Sequence, residues 1–248
     1  MSGEKPPCRV VHLGILRYQV ARDLQEEMAP AIGRGEQPPA LLLLEHPHIF
    51  TFGRRGNAEN LLWDEATRAV RQVEVLWVDR GGDVTYHGPG QLVGYPVMPL
   101  GRLDGNDRLP QADYVGFVRS LERVLILALA RLGLASGQQP GLTGVWVQPD
   151  VASRCPRCPP AARRRPAKVA AIGVKVDPAG VSRHGFALNV TPEMDYWEGI
   201  VACGLVDHPV VSLEQLMNPV PSMERVRGEV ISAFGEVFGF EMVETTLG

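Results

Sequence analysis

The sequence predicts an α+β domain, strands interspersed with amphipathic helices, and three observations carry that expectation. Short runs of apolar, β-branched and aromatic residues recur along the chain between turns rich in Gly and Pro. Three longer stretches, around 16–33, 111–133 and 222–238, repeat apolar residues every three to four positions, the helical period. At 248 residues, with 45% hydrophobic and 21% charged, the chain can bury a proper core as one globular domain.

Taken in order, Val10-Val11-His12-Leu13 opens as a short strand. Leu16, Val20, Leu24 and Met28 then recur every four residues, so a helix is expected over 16–33, ending near Gly33 and Gly35. Ala40-Leu41-Leu42-Leu43-Leu44-Glu45 is continuously apolar and reads as a buried strand. His46-Pro47-His48 turns the chain, and Ile49-Phe50-Thr51-Phe52-Gly53 is expected to return as its hairpin partner, tipped by Arg54-Arg55-Gly56. Two histidines and two arginines beside one turn would steer an anionic group, although each alone is an ordinary solvated residue. A short helix near 63–72 and a strand, Val75-Leu76-Trp77-Val78-Asp79, follow.

The next stretch, Arg80-Gly81-Gly82-Asp83-Val84-Thr85-Tyr86-His87-Gly88-Pro89-Gly90-Gln91, crowds four glycines into twelve positions between apolar runs. Glycine lets a backbone approach a ligand closely and take positive φ, so this is a candidate binding lip, with a plain hairpin as the alternative. It matches neither a phosphate loop nor a dinucleotide fingerprint. After the strand Leu92-Val93-Gly94-Tyr95-Pro96-Val97, the helix at 111–133 should bury Tyr114, Phe117, Val118, Leu121, Val124, Leu125 and Leu129, and stop at Gly133. Gly144-Val145-Trp146-Val147 is a further strand.

Residues 150–166 break the pattern. Pro149, Pro156, Pro159, Pro160 and Pro166, with Arg154, Arg157, Arg163, Arg164 and Arg165, predict a basic surface loop. Cys155-Pro156-Arg157-Cys158 inside it is half a zinc site with no second half in the sequence. Its prolines also oppose the helix on which a redox pair usually sits. Incidental cysteines are the favoured reading, and no metal is expected.

Lys168-Val169-Ala170-Ala171-Ile172-Gly173-Val174-Lys175-Val176 and His184-Gly185-Phe186-Ala187-Leu188-Asn189-Val190 form a predicted strand pair around the turn Asp177-Pro178-Ala179-Gly180. The final helix, 222–238, carries Met223, Val226, Val230, Phe234 and Val237 and ends at Gly239. No internal repeat or linker divides the chain.

Composition narrows the function. A net charge of −3 argues against a general nucleic-acid binder, and no apolar run approaches the ~20 residues that span a bilayer. The first residues lack a signal-peptide pattern, so a cytoplasmic protein is expected. Of the 25 basic side chains only three are lysines, Lys5, Lys168 and Lys175, so a retained lysine points to chemistry that needs a titratable amine. Lys168 and Lys175 stand an odd number of residues apart, so in a regular strand only one can face a shared pocket. Cys203, before Gly204, taken alone reads as a small buried residue; its coincidence with a scarce lysine and three His-bearing loops raises the alternative of a nucleophile. As a nucleophile it needs a neighbour for its proton: His87, His184 or His46, or less commonly Lys168.

The blocks from His46-Pro47 to Gly53, Arg80 to Gln91, Thr143 to Val147, Lys168 to Val176, His184 to Val190 and Cys203-Gly204 together resemble the lipoyl(octanoyl) transferases over roughly 40–205. That resemblance implies a mixed β-sheet with packed helices, like the catalytic domain of the biotin and lipoate protein ligases, with the ligand in a groove over the sheet. It implies that Cys203 becomes an acyl thioester and that Lys168 activates it. Substrate contacts fall on Arg80, Gly81, Gly82, Asp83, Val84, Thr85, Tyr86 and His87, on Ala171, Ile172 and Gly173, and on Gly185, Phe186 and Ala187, with His46 and His184 in support. The implied reaction moves an octanoyl group from octanoyl-acyl carrier protein to a lysine of lipoyl domains, those of 2-oxoacid dehydrogenase E2 subunits and the glycine cleavage H protein. It requires no cofactor and is expected of a monomer. The chain departs from the family at Ala202, usually Pro, and in the longer basic segment at 150–166. An ATP-dependent lipoate- or biotin-type ligase is the alternative and would not need Cys203; a third is a protein that only binds the acyl chain.

Overall fold

The computed structural model describes residues 4–100, 113–153, 158, 160–204 and 208–246. The first half of the chain runs β1 (Pro7–Ile15), α1 (Tyr18–Gly33), β2 (Ala40–Glu45), β3 (Ile49–Phe52), α2 (Glu65–Val70), β4 (Glu74–Trp77), β5 (Val84–His87) and β6 (Gln91–Val97). The second runs α3 (Tyr114–Arg131), β7 (Val145–Val147), α4 (Pro149–Ala152), β8 (Ala167–Val176), β9 (Ser182–Asn189), α5 (Leu213–Leu216), α6 (Met223–Phe238) and β10 (Glu241–Thr245). Seven strands form a mixed sheet in the order β10-β1-β2-β6-β9-β8-β7, and three form a smaller sheet, β4-β3-β5. The expected α+β class and mixed sheet are therefore observed.

The apolar run in β2 follows from its place in the large sheet. β1 pairs with it in parallel and β6 antiparallel, so both edges are used. Its side chains alternate between two cores. Leu41 and Leu43 pack with α3 and α6 on one face, while Leu42 and Leu44 pack with α1 on the other. A strand covered on both faces has no position left for a polar side chain.

For that reason the expected hairpin between 40–45 and 49–53 does not form. β3 pairs instead with β4 in parallel and with β5 antiparallel in the small sheet. The turn between them is pinned by His46, which is fully buried. Its Nδ1–H donates to Leu16 O at 2.6 Å, and its Nε2 accepts from the Tyr95 hydroxyl at 2.7 Å. A third of the glycine-rich stretch is also strand: β5, four of its twelve residues, lies within it, every residue buried.

Three smaller expectations are corrected. Val20 is exposed, because α1 turns Ala21, Gln25 and Met28 to the sheet, and Gln25 Oε1 accepts from His184 N at 2.6 Å. Tyr114 is exposed too; it opens α3, whose buried side starts at Phe117, and 111–112 lie outside the described residues. The 150–166 segment is not all loop. Pro149 starts α4 at the first helical position, where a missing N–H costs nothing, and Ala152, Cys158 and Ala162 join the core. Arg163, Arg164 and Arg165 are exposed there. Arg154, Cys155, Pro156, Arg157 and Pro159 lie outside the described residues.

Candidate active site

Cys203 stands on a turn with left-handed backbone, φ 55°, followed by Gly204 at φ 67°. A non-glycine residue held there costs roughly 1–3 kcal/mol, so the surroundings must impose it. They do so from the segment after the small sheet's basic tip. Val201 N donates to Asn60 O at 2.8 Å, Leu62 N to Gly199 O at 2.8 Å, and Gly204 N closes the turn on Val201 O at 3.0 Å. Asp83 backs the turn: its Oδ1 accepts from Val84 N at 2.7 Å and Asn57 N at 3.0 Å, and its Oδ2 accepts from the Asn60 amide. A side chain at Gly204 would come within 2.9 Å of that Oδ2, so the glycine is required by space as well as by φ. Ala202, where a proline was expected, therefore sits in a turn held by Asn60 and Asp83.

Lys168 is buried near the start of β8, and its Nζ lies 3.4 Å from Cys203 Sγ. The same nitrogen sits 4.8 Å from the centre of the Trp146 ring. Backbone pairing brings the two segments together: Lys168 N donates to Pro209 O at 2.8 Å and Val211 N to Lys168 O at 2.9 Å. Gly144 flanks the lysine at φ 118°, where a Cβ would meet Ala170 O at 2.6 Å. Its N–H is held by the fully buried Glu122 of α3 at 3.0 Å. Lys175 is elsewhere, paired with Asp79.

Cys203 lies where two depressions meet. A narrow, mostly apolar cleft is lined by Arg80, Gly81, Gly82, Asp83, Thr85, His87, Ala171, Ile172, Gly173, His184, Gly185, Phe186 and Ala187, with Tyr18 and Tyr95. A wider, more polar groove holds Lys168, Arg55, Val118 and the 141–143 loop. Most of the residues named from the sequence are thus gathered around one sulfur. Val84 and Tyr86 are not, since strand alternation turns them into the small sheet's own core with Phe50 and Phe52. His46 stands behind the cleft, its ring 5.5 Å from that of His87. Tyr18 and Tyr95 were not singled out in the sequence. Tyr95 sits inside an apolar strand run, and Tyr18 falls between Leu16 and Val20 of the helix's expected stripe, so neither stood out.

The cleft's histidines are neutral. His87 Nδ1–H donates to Gln91 Oε1 at 2.7 Å, and full burial holds the imidazole well below its ordinary value. His46 is pulled down to about 4 by burial. His184 is lowered by burial, although its Nε2–H donates to Asp79 at 2.8 Å; its Nδ1 accepts from the Tyr18 hydroxyl at 3.2 Å. Burial likewise raises Tyr18 to about 12. An imidazole that resists protonation is a poor proton acceptor, and the side-chain nitrogen next to the thiol is that of Lys168.

Comparison with known proteins identifies the family. The lipoyl protein ligase A/B catalytic domain family matches residues 17–235. The octanoyltransferase of Chloroflexus aurantiacus is 40% identical over 233 residues, 94% of either chain. That of Koribacter versatilis is 39% identical over 230 residues, covering 93% of this chain and 84% of its own. Among solved structures, a bipartite lipoate protein ligase from Thermoplasma acidophilum superposes with a TM-score of 0.70 at 17% identity, covering 98% of this chain and 88% of that one. A lipoate-protein ligase A bound with ATP gives 0.69 at 17% identity, covering 98% and 90%. At that identity the structures speak for the fold alone, whereas the octanoyltransferases share sequence over nearly the full length. This chain belongs to the lipoyl protein ligase A/B catalytic-domain family and, within it, to the octanoyltransferases, which are acyltransferase enzymes.

Proposed function

We propose that the chain, as one catalytic domain over 1–248, transfers an octanoyl group from octanoyl-acyl carrier protein to a lysine of lipoyl domains through a thioester on Cys203. The observation that carries this reading is the Lys168 amine 3.4 Å from Cys203 Sγ, where an apolar cleft meets an open groove. The cleft suits a medium alkyl chain; the groove suits the carrier arm and, later, the incoming lysine.

In the first half-reaction Cys203 Sγ attacks the thioester carbonyl while Lys168 takes the thiol proton. The tetrahedral adduct collapses, the carrier sulfur leaves, and Lys168 returns the proton to it. In the second, the neutral amine of the target lysine attacks the acyl-cysteine, giving up a proton as the amide forms and Cys203 leaves. Beyond Ala170, the last β8 residue paired with β7, the outer edge of β8 carries Val174 O, which accepts from Gly81 N at 3.0 Å. By alternation Ile172 N–H opens on that same edge and is the backbone donor for the developing oxyanion. A thioester already carries the activation, so ATP is not consumed.

The lipoyl domains we expect to serve as acceptors are those of 2-oxoacid dehydrogenase E2 subunits and the glycine cleavage H protein, with the enzyme acting as a cytoplasmic monomer. Among the described residues no helix is long and apolar enough to cross a membrane. The test supplies lipoyl domain with either octanoyl-acyl carrier protein alone or free octanoate plus ATP. Octanoylated domain from the first mixture only is the expected result. Modification that depends on ATP would replace the transferase with a ligase.

A further inference from the structure

Among the described residues the buried guanidinium of Arg80 has no counter-ion, and its surroundings are built to hold it. Its Nε donates to Thr51 Oγ1 at 3.2 Å, one terminal nitrogen to Thr51 Oγ1 at 2.9 Å and to Thr51 O, and the other to Gly81 O at 2.9 Å. Every acceptor is neutral, and among the described residues no carboxylate pairs with it. The acids on either side in sequence are turned to other partners: Asp79 to Lys175 and His184, Asp83 to Asn57, Asn60 and Val84.

Three glycines from separate parts of the chain make the space. A Cβ on Gly53 would stand 2.8 Å from the guanidinium, one on Gly82 3.4 Å from it, and one on Gly173 3.2 Å from Arg80 Cδ. A buried charge without a partner is strongly unfavourable, so a fold that reserves room for one uses it when an anion is present. The same cleft wall carries Thr85, whose buried hydroxyl also has no partner.

The anion the cleft offers is at Cys203. We propose that Arg80 is the fixed positive charge that stabilises the Cys203 thiolate and then the tetrahedral oxyanion of the acyl adduct, which leaves Lys168 free to move the proton. This rests on the proposed reading of Cys203 as the nucleophile. The division of labour follows from the side chains. A guanidinium stays charged through the cycle, whereas an amine alternates between its two states. The charged and titratable groups facing the sulfur are Lys168 from β8, Asp83 and Arg80 from the segment between β4 and β5, and Arg55 at the groove's rim. His87, His184, Tyr18 and Tyr95 line the rest of the cleft and are neutral at pH 7.

The experiment measures iodoacetamide alkylation of the Cys203 peptide against pH, together with octanoyl transfer, for the parent, Arg80→Gln, Arg80→Lys and Thr51→Val. The Thr51 variant removes both hydrogen bonds from Arg80 to the Thr51 hydroxyl but keeps the one to Thr51 O and the charge, so it controls for local structure. Arg80→Gln should raise the pH midpoint of alkylation by about one unit or more and lower kcat roughly 100-fold. Arg80→Lys should restore most of the midpoint, and Thr51→Val should leave it at the parental value. A parental midpoint in folded Arg80→Gln, or an equal shift in Thr51→Val, overturns the proposal.

A second measurement needs no variant: octanoate should protect Cys203 of the parent from alkylation at concentrations at least about tenfold below octanol, by the fixed charge. Equal protection by the two also overturns it. Loss of the underlying reading looks different, since the parent itself would then form no acyl-enzyme on Cys203.

Discussion

Replacing Lys168 with arginine separates charge from proton transfer at the thiol. The lysine Nζ lies 3.4 Å from Sγ and 4.8 Å from the centre of the Trp146 ring, so an arginine there keeps a cation beside both. It cannot accept a proton at any working pH. Positioned general acid–base groups contribute about 10²–10⁴ in rate, equal to roughly 3–5 kcal/mol of barrier, and the loss should fall in that range. Lys175→Arg is the matched control, because its partner Asp79 accepts from either side chain. It should stay within about threefold of the parent. The assay is single-turnover octanoylation, read by intact mass. A Lys168→Arg protein that acylates at the parental rate, or a Lys175→Arg protein that does not acylate, refutes the argument.

Two further predictions concern the walls of the site. Burial lowers His46 from 6.5 to about 4, so the unfolded chain takes up that proton first as the pH falls. Its contribution is intact above about pH 6.5 and lost down to about pH 4, some 3 kcal/mol at 1.36 kcal/mol per pH unit. Urea midpoints of the parent and His46→Gln should therefore converge on acidification, and a constant gap would contradict the assignment. Gly94→Ala should destabilise by about 1–3 kcal/mol, because its methyl group would enter the Phe186 ring across β6 and β9. An unchanged denaturant midpoint would show that Phe186 is free to move.

Elements with a strong internal pattern were legible in the sequence. β2 is marked by continuous apolarity, β8 and β9 by β-branched and small residues around a turn, and α3 and α6 by helical repeats closed by glycine. What the pattern could not show was which strands share a sheet. Leu44 and Ile49 are five residues apart yet belong to different sheets, because β1 and β6 had already taken both edges of β2. β10 was missed altogether: Glu241 and Glu244 are exposed, and backbone pairing with β1, not burial, makes it a strand.

The site divides in the same way. Glycine crowding and a scarce lysine drew attention to 80–91 and to Lys168, but periodicity does not link Lys168 to Cys203, 35 positions later. Their meeting depends on the Pro209–Val211 segment zipping onto β8. Val84 and Tyr86 lie in the glycine-rich stretch and still face away, since β5 alternates. The Arg80 pocket was hidden for a different reason: Gly53 after β3, Gly82 before β5 and Gly173 within β8 acquire a common purpose only when those segments converge.

The central claim is a covalent octanoyl intermediate on Cys203, and trapping it is the most direct test. Enzyme mixed with octanoyl-acyl carrier protein, without ATP or acceptor, is analysed by intact mass and peptide mapping, then chased with lipoyl domain. The account predicts one octanoyl group on the Cys203 peptide, sensitive to hydroxylamine and discharged onto the domain lysine. It also predicts no such species in Cys203→Ser, whose hydroxyl is a far weaker nucleophile at neutral pH. Octanoyl on a different residue, or parental transfer by Cys203→Ser, would contradict it.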